Sequence, residues 1–349
     1  MQSVGNPGSP GSGISYTQYN PHFRSMLCPA PTTLKSVSAR PLIAIVGPTG
    51  SGKSDLSLRL CEEFGGEVVN CDSLQIYRYF DIGTAKLPAA ERRGIPHHML
   101  DIVNPDEIFT AGEFARRARP LITSMGPALI PVVAGGTGFY LRALLDGLFR
   151  APSRDDALRA RLAGREQSRP GSLHRLLRRF DSPAAQAIHP NDVPKVMRAL
   201  EVYLLTGRPI SSWFADGRDT LTGFRPLKIG LAPRREALYE RLNLRCERMF
   251  AGGLVDEVKR ILAMGWPRSA KPFESHGYRQ ALQVLSGEMT KDQALAEAQM
   301  NTRRYAKRQV TWFRREPDVH WLGGFGDEPG IQRAAIEDVR RWMLTSCLP

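Results

Sequence analysis

Eight consecutive residues carry the clearest chemistry in this sequence. Residues 47–54 fit G-x-x-x-x-G-K-S/T, the pattern of a loop that binds phosphate groups through its backbone N–H groups. Its glycines let the backbone curl around an anion, and a helix N-terminus behind the loop adds partial positive charge. Lys53 supplies a cation for the outer phosphates, and the Ser54 hydroxyl can bind Mg²⁺. The predicted diphosphate-binding residues are Gly47, Pro48, Thr49, Gly50, Ser51, Gly52, Lys53 and Ser54.

The residues around this loop have the patterns of a strand and a helix. The apolar run 41–46 predicts a buried parallel strand, and the chain from Ser54 onward predicts a helix. Strands and helices then alternate, which predicts an α/β fold with a doubly wound parallel sheet. The other predicted strands are 67–71, 128–134 and 227–231, and the other predicted helices are 111–125, 139–145, 235–250, 254–264 and 290–315.

Asp72 directly follows the second predicted strand. Because the carboxyl ends of parallel strands line the ligand crevice of such a sheet, we expect Asp72 near the phosphate-binding loop. Nucleotide hydrolases with this loop commonly have an Asp at the end of another apolar strand to help hold Mg²⁺. Here the third predicted strand ends in Ala134-Gly135-Gly136 instead. The residues alone therefore leave two roles open for Asp72, a metal ligand or a base in a different reaction.

The composition indicates the class of protein and the kind of partner it binds. Its net charge is +13, which suggests a polyanionic partner such as a nucleic acid or an anionic membrane surface, although a generally basic enzyme is the alternative. No apolar run reaches the length of a membrane span, which predicts a soluble protein. The five cysteines are scattered without a spacing that suits zinc, which predicts reduced thiols.

The sequence divides into five predicted regions. Residues 1–38 are rich in Gly, Pro, Ser and Thr and contain no acidic residue, which predicts a disordered tail. Residues 39–149 form the first part of the core. Residues 150–208 lack strand patterns and carry arginines at helical spacings, which predicts a helical insertion with a basic surface. Residues 209–318 form the second part of the core with basic C-terminal helices, and residues 319–349 form a C-terminal extension.

Two predicted helices carry arginines along one face. In the helix 235–250, Arg241, Arg245 and Arg248 recur at i, i+4 and i+7. Such a stripe is tolerated most easily when an anion lies across it, and pyrophosphate, a nucleic-acid backbone or nearby carboxylates would all serve.

The second arginine-rich helix begins after Thr290. Arg304 and Arg308 share one of its faces, while Tyr305, Gln309 and Trp312 share another. Basic residues interleaved with aromatic ones suit a nucleic-acid surface. An amphipathic helix with buried rings and a solvated basic face fits the same spacing, so the pattern alone favours neither.

Several longer strings resemble the tRNA dimethylallyltransferases, which are isopentenyl-diphosphate:tRNA transferases. The resemblance covers residues 40–315 in order, and its strings are long and specific. Besides the loop at 47–54, these strings are D-S-L-Q-I-Y-R at 72–78, D-I-G-T-A-K at 81–86, P-H-H at 96–98, G-G-T-G-F-Y at 135–140, H-P-N-D at 189–192, R-A-L-E-V-Y at 198–203, G-Y-R at 277–279 and T-R-R-Y-A-K-R-Q-V-T-W-F-R at 302–314.

The resemblance implies an Mg²⁺-dependent, usually monomeric cytoplasmic enzyme. It would transfer a dimethylallyl group from dimethylallyl diphosphate to the N6 amine of the adenosine 3′-adjacent to the anticodon, in tRNAs reading codons that begin with U. The phosphate-binding loop would then hold the prenyl donor rather than ATP. Asp72 matches the general base, and Thr137 and Arg245 match residues that stabilise the leaving diphosphate.

The resemblance also implies a set of tRNA contacts. Lys195 stands where some members have arginine, and a lysine cannot make the same two-pronged phosphate contact. Glu274-Ser275-His276 stand where relatives are often apolar or basic. The implied tRNA-binding residues are Asp72, Ser73, Leu74, Gln75, Thr137, Arg159, Pro194, Lys195, Val196, Met197, Arg198, Gly277, Tyr278, Arg279, Arg304 and Arg308.

The residue patterns alone also allow three other functions. A prenyltransferase acting on free AMP, ADP or ATP would share the loop and Asp72 but would not need the insertion. A small-molecule kinase would transfer phosphate from ATP and would need an acceptor pocket and a lid of arginines. A non-catalytic RNA-binding protein with a nucleotide switch would need neither Asp72 nor Thr137.

Overall fold

The computed structural model describes residues 39–149, 152–215 and 217–345, so the predicted disordered tail lies outside the described residues. The core is a six-stranded sheet in which every pairing is parallel. The strands are β1 Arg40–Val46, β2 Gly66–Asn70, β3 His97–His98, β4 Ile130–Ala134, β5 Phe224–Leu231 and β6 Val319–Leu322, and their order across the sheet is β3-β2-β4-β1-β5-β6. The predicted strands are present, with their first residues shifted by one to three positions and their last residues by at most one.

Helices connect the strands and form the insertion. No described helix is both long and apolar enough to cross a membrane. The helices are α1 Lys53–Phe64, α2 Ala111–Ser124, α3 Gly138–Leu145, α4 Asp156–Ser168, α5 Ser172–Phe180, α6 Ser182–Ala187, α7 Val193–Thr206, α8 Ile210–Ala215, α9 Arg235–Ala251, α10 Leu254–Ala263, α11 Tyr278–Leu285, α12 Lys291–Phe313 and α13 Pro329–Leu344.

The sheet is covered on both faces. Successive side chains of a strand point to opposite faces, and the central strand β1 is apolar on both. Leu42 and Ala44 pack into one buried cluster with residues of α2, α3 and α10. Ile43 and Ile45 pack into a second cluster with residues of α1 and α13. This two-sided burial confirms the predicted doubly wound α/β fold.

Helices α4 to α8 have an apolar cluster of their own. Leu162, Leu177 and Leu200 are almost fully buried in it. Asp155 caps the first of these helices by accepting a hydrogen bond from Leu158 N at 2.8 Å. The helical stretch extends to Ala215, beyond the predicted end at residue 208.

The chain after residue 318 is part of the core. Strand β6 pairs with β5 from Lys228 opposite Val319 to Leu231 opposite Leu322, and α13 packs on the sheet face that also holds α1. The prediction that residues 319–349 form an extension was therefore wrong for residues 319–344. Strand β6 has only four residues, two of them exposed, so its sequence has no buried apolar run.

Candidate active site

The phosphate-binding loop joins β1 to α1 at the carboxyl end of the sheet. The chain leaves β1 towards β2 and later crosses to β5 on the other side, so this edge is the switch point where such sheets bind ligands. Gly50 and Gly52 have φ values of 77° and 81°, which other residues adopt only with strain. A Cβ added at Gly50 would lie 2.8 Å from Leu242 of α9. The conformation therefore favours glycine there, and a larger residue would also require the Leu242 side chain to shift.

Lys53 lies at the base of this loop. Its Nζ donates a hydrogen bond to Pro48 O at 2.7 Å. Burial lowers the pKa of Lys53, the Asp72 carboxylate raises it and the nearby Arg245 lowers it, and the resulting pKa is about 8. A buried ammonium with so little compensating charge favours the binding of an anion.

Asp72 follows β2 and faces the same cavity as Lys53. Its Oδ1 accepts hydrogen bonds from Leu74 N at 2.9 Å and Gln75 N at 3.4 Å, which fixes the carboxylate on a tight turn. No described residue donates to Oδ2. The geometry thus holds one oxygen in place and leaves the other available to accept a proton or bind a metal.

Thr137 lies in the Gly-rich loop after β4. Its Oγ1 accepts a hydrogen bond from Ser73 N at 3.0 Å and lies 3.3 Å from Ser73 Oγ. A Cβ added at Gly135 would lie 2.0 Å from Cys71 O, so only glycine allows this loop to approach the chain that leads into Asp72. The observed contacts of Thr137 position the Asp72 turn.

Arg245 projects from α9 into the cavity. Its Nη1 lies 3.3 Å from Thr49 Oγ1 and its Nη2 lies 3.4 Å from Thr84 O. Gln75 Nε2 also donates to Thr84 O, at 3.1 Å. Burial lowers the pKa of Arg245. These long, neutral contacts leave its charge unpaired, which suits an anion site.

Gln309 of α12 is a site residue to which the sequence assigned no role. Its Oε1 accepts a hydrogen bond from Thr49 N at 2.8 Å, and its Nε2 donates to Gly136 O at 2.9 Å. It is 5 % exposed. In the sequence, only its position on the same helix face as Tyr305 and Trp312 pointed to Gln309. Its hydrogen-bond partners, Thr49 and Gly136, are both far from it in sequence.

The phosphate-binding loop, Asp72 and α9 surround a cavity of about 620 Å³, and Thr137 and Gln309 lie outside its lining. This volume lies in the usual range for small-ligand sites. The predicted arginine stripe of α9 lines it with Arg241, Arg245 and Arg248. Arg241 also binds Asp327 at 2.8 Å, so a carboxylate offsets part of the stripe. The cavity gathers cations at the phosphate-binding loop and places Asp72 among them.

The cavity lining fits Mg²⁺ bound together with a diphosphate. Ser54 is exposed at the start of α1 and lines the cavity with Asp55 and Asp72, which provides hard oxygen donors. No group of three or more His, Cys, Asp or Glu residues in the described ranges could hold a metal by itself. Mg²⁺ commonly binds through one or two protein oxygens plus substrate phosphates, which matches this donor set.

Two histidines, His97 and His98, occupy the edge strand β3. His98 Nε2 lies 2.7 Å from Glu67 Oε2, and His97 Nδ1 lies 2.9 Å from Ile95 O. Both rings are thus engaged in local contacts within the sheet edge.

The implied tRNA contacts on α12 are accessible. Arg304 and Arg308 are both exposed. A groove of about 340 Å³ is lined in part by Arg308 and Trp312, and the Arg142 guanidinium lies 4.7 Å from the centre of the Trp312 ring. The groove is lined by Arg142, Lys307, Arg308, Thr311, Trp312 and Arg315.

Two implied tRNA-binding side chains are buried, which corrects their assignment. Tyr278 is fully buried; its hydroxyl accepts a hydrogen bond from Gly83 N at 3.0 Å and donates to Glu257. Val196 is 1 % exposed within the core of the insertion. Both side chains pack the protein and do not reach its surface. The neighbouring Arg279 is exposed.

Two implied tRNA-binding arginines hold a buried carboxylate. Arg159 makes a two-pronged contact with Glu201 at 2.8 and 2.9 Å, and Arg198 Nη1 lies 2.5 Å from the same carboxylate. These hydrogen bonds outweigh burial and lower the pKa of Glu201 to about 2. On the same helix as Arg198, Pro194 and Lys195 are exposed. Arg159 and Arg198 therefore stabilise the insertion, with only part of each guanidinium facing solvent.

Comparisons with known proteins identify the family. A family model described as IPP transferase matches residues 75–316, which is more than half of the chain. The chain belongs to the IPP transferase family. One relative, the tRNA dimethylallyltransferase of Solibacter usitatus, is 62 % identical to this chain over 304 residues. The match covers 87 % of this chain and 99 % of the relative. The tRNA dimethylallyltransferase of Koribacter versatilis is 52 % identical over 301 residues, covering 86 % and 98 %.

Solved structures of the family have the same fold. The full-length tRNA isopentenylpyrophosphate transferase of Bacillus halodurans superposes with a TM-score of 0.64 at 36 % identity, covering 88 % of this chain and 96 % of that one. A eukaryotic dimethylallyltransferase acting on tRNA superposes with a TM-score of 0.72 at 29 % identity, covering 87 % and 80 %. The resemblance that the sequence motifs indicated is confirmed.

Proposed function

We propose that this family member transfers a dimethylallyl group from dimethylallyl diphosphate to the N6 amine of the adenosine 3′-adjacent to the anticodon of tRNA. The observation that carries the proposal is a single cavity that holds the phosphate-binding cations and an Asp72 carboxylate with one uncommitted oxygen. The close relatives that carry the name tRNA dimethylallyltransferase support it. We further propose that the protein acts as a cytoplasmic monomer on tRNAs reading codons that begin with U.

The donor diphosphate would bind at the curled loop. Backbone N–H groups at the start of α1, the helix dipole and Lys53 provide the positive field. Arg245 adds a second cation from the facing helix α9. Mg²⁺, held by Ser54 and the phosphates, would supply further charge neutralisation for the leaving diphosphate. Together these groups stabilise the negative charge that develops on the diphosphate as its bond to the dimethylallyl group breaks.

The transfer exchanges one bond for another. The bond between donor C1 and the diphosphate oxygen breaks, and its electron pair leaves with the diphosphate. The N6 lone pair forms the new bond to C1, and one N6 proton passes to Asp72. An adenine amine is a weak nucleophile because its lone pair is delocalised into the ring, so a fixed proton acceptor contributes directly to the rate.

The tRNA would bind across the basic surfaces outside the cavity. The target base must leave its stack to reach Asp72, at a cost of a few kcal/mol. Phosphate contacts from the exposed arginines of α12 and from the insertion would offset that cost. The net charge of +13 favours the encounter.

The test is an incubation of the protein with Mg²⁺, unmodified tRNA and dimethylallyl diphosphate, followed by mass spectrometry of the digested nucleosides. We expect a dimethylallyl mass gain on adenosine from tRNA. A gain only on free AMP would replace this function with nucleotide prenylation. Phosphate transfer from ATP with no prenylation would replace it with a kinase. The Asp72→Asn variant is the matched control, because its amide oxygen can still accept from Leu74 N.

A further inference from the structure

The loop between β6 and α13, residues 323–328, packs against the phosphate-binding loop. Gly326 N donates a hydrogen bond to Ser51 O at 2.9 Å. A Cβ added at Gly52 would lie 2.7 Å from both Gly326 N and Asp327 Oδ1. The two loops thus touch through their backbones. A change in the β6–α13 loop therefore reaches the phosphate-binding loop directly.

Phe325 of this loop lines the active-site cavity, as does Arg241 of α9. The Arg241 guanidinium carbon lies 4.7 Å from the centre of the Phe325 ring. Phe325 also packs against a buried cluster formed by Leu238 and Leu242 of α9 with Ala306 of α12, which restricts the motion of its ring. A guanidinium stacked on a fixed ring is already ordered, so it loses less entropy when it binds an anion.

Asp327 contacts only one edge of Arg241. Arg241 Nη1 donates to Asp327 Oδ1 at 2.8 Å, and no other described residue accepts a hydrogen bond from this guanidinium. The two side chains are 37 % and 43 % exposed, so water screens their ion pair and it contributes little to stability. Arg241 therefore keeps N–H donors for a ligand, and a diphosphate is a more highly charged acceptor than one carboxylate.

Arg241 lies one helical turn before Arg245, and Gly50 approaches the same helix closely. The Arg241 guanidinium is thus placed beside the loop that would hold phosphates. We propose that Arg241 binds the outer phosphate of the donor diphosphate and that Phe325 is the residue that positions it. The proposal rests on the proposed function, in that the donor is a diphosphate. It extends the donor site beyond residue 316, where the family-model match ends.

The test is calorimetric titration of the full chain with inorganic diphosphate and Mg²⁺, without tRNA. Loss of a charge-assisted contact in Arg241→Ala should raise the diphosphate Kd by about tenfold. Phe325→Leu keeps the apolar packing but removes the ring face, and should raise the Kd by roughly threefold to fivefold. The double variant should match Arg241→Ala, because Phe325 acts through Arg241. Phe325→Tyr keeps the ring and should bind as the wild type does.

Helix α9 offers a matched control. The Arg235 guanidinium lies 5.1 Å from the centre of the Tyr239 ring, and neither residue lines the cavity. Arg235→Ala should leave the diphosphate Kd within about twofold of the wild type, since it removes a stacked guanidinium outside the site. Phe325→Met replaces Phe325→Leu if the latter does not fold.

The proposal is overturned if Arg241→Ala binds diphosphate as the wild type does. It is also overturned if the increase in Kd of the double variant equals the product of the increases of the two single variants. Activity separates this failure from that of the proposed function. Dimethylallyl transfer together with unchanged diphosphate binding in Arg241→Ala would overturn only the role of Arg241. The expected Kd pattern without transfer to adenosine would overturn only the proposed reaction.

Discussion

At the scale of single residues, the active site places a proton acceptor among cations. Asp72 uses Oδ1 to accept hydrogen bonds from its own turn, while Oδ2 has no described donor. Lys53 and Arg245 line the same cavity. An amine attacking an allylic carbon requires both features, because a proton leaves one partner as negative charge develops on the other.

The Asp72→Asn substitution should separate substrate binding from proton acceptance. Its side-chain oxygen can still accept from Leu74 N, so we expect tRNA and donor affinities close to those of the wild type. Turnover should fall by roughly 10²–10⁴-fold because the general base is lost. Single-turnover kinetics with saturating tRNA measure this step. A rate within a few-fold of the wild type would remove Asp72 as the base.

Lys53 should make donor binding depend on pH. Its pKa in the free protein is lowered to about 8, so the side chain is mostly charged at pH 7 and mostly neutral above pH 8. A bound diphosphate favours the charged form and raises that pKa, so binding above pH 8 must take up a proton and weakens as pH rises. Calorimetry at pH 8.5 in two buffers of different ionisation enthalpy measures the uptake.

Lys53→Arg is the control for this prediction, because an arginine stays charged throughout the range. The variant should bind dimethylallyl diphosphate without the extra proton uptake. Equal uptake in both proteins would assign the proton to another group.

At the scale of secondary-structure elements, α12 connects the proposed RNA surface to the donor site. Its exposed face carries Arg304 and Arg308, while Gln309 on the buried side binds both the phosphate-binding loop and the Gly-rich loop after β4. One helix therefore contacts the regions proposed for both substrates.

Gln309→Leu has nearly the wild-type volume but removes both hydrogen bonds. Gly136 O would lose its partner in a buried place, which costs about 1–3 kcal/mol, and Thr49 N would lose its partner where it is only partly buried, which costs less. We expect a lower melting temperature and a raised KM for dimethylallyl diphosphate. Gln299→Leu on the same helix is the control, since Gln299 bonds to α9 rather than to these loops. An unchanged donor KM in Gln309→Leu would contradict this role.

The sequence predicted the elements with strong periodicity and missed those without it. The buried strands β1 and β4 have continuous apolar runs, β5 has an apolar run interrupted by Lys228, and the loop motif identified Lys53 and Ser54 directly. Strand β6 is too short for such a pattern, and its place in the sheet depends on pairing with β5. The contacts of Gln309 join positions 260 and 173 residues apart in sequence, so no local rule could find them.

The family resemblance predicted residue positions better than side-chain roles. Tyr278 lies in a string that the family shares, Arg159 matches a single family position, and the resemblance implied tRNA contacts for both. In the structure Tyr278 is buried against Glu257, and Arg159 holds the buried Glu201. Burial depends on the whole fold, so a shared string does not separate a residue that contacts the ligand from one that supports it.

At the scale of the whole molecule, some basic residues are paired with carboxylates while others face solvent without such a partner among the described residues. Several basic residues are committed to carboxylates within the protein, among them Lys228 with Glu316 at 2.8 Å. In contrast, Arg304 and Arg308 of α12 are exposed and have no ion pair with a described residue. A polyanion therefore meets unpaired cations on α12.

The combined Arg304→Ala and Arg308→Ala variant tests whether that surface binds tRNA. Each lost phosphate contact should reduce the slope of log affinity against log salt by roughly 0.7–0.9, so the double variant should lose about twice that amount. Lys259→Ala with Arg333→Ala removes the same charge from exposed positions of α10 and α13. If net charge alone attracts the tRNA, both pairs will change the slope equally; if α12 is the contact surface, only the α12 pair will. An unaltered slope in the α12 variant would place the tRNA elsewhere on the protein.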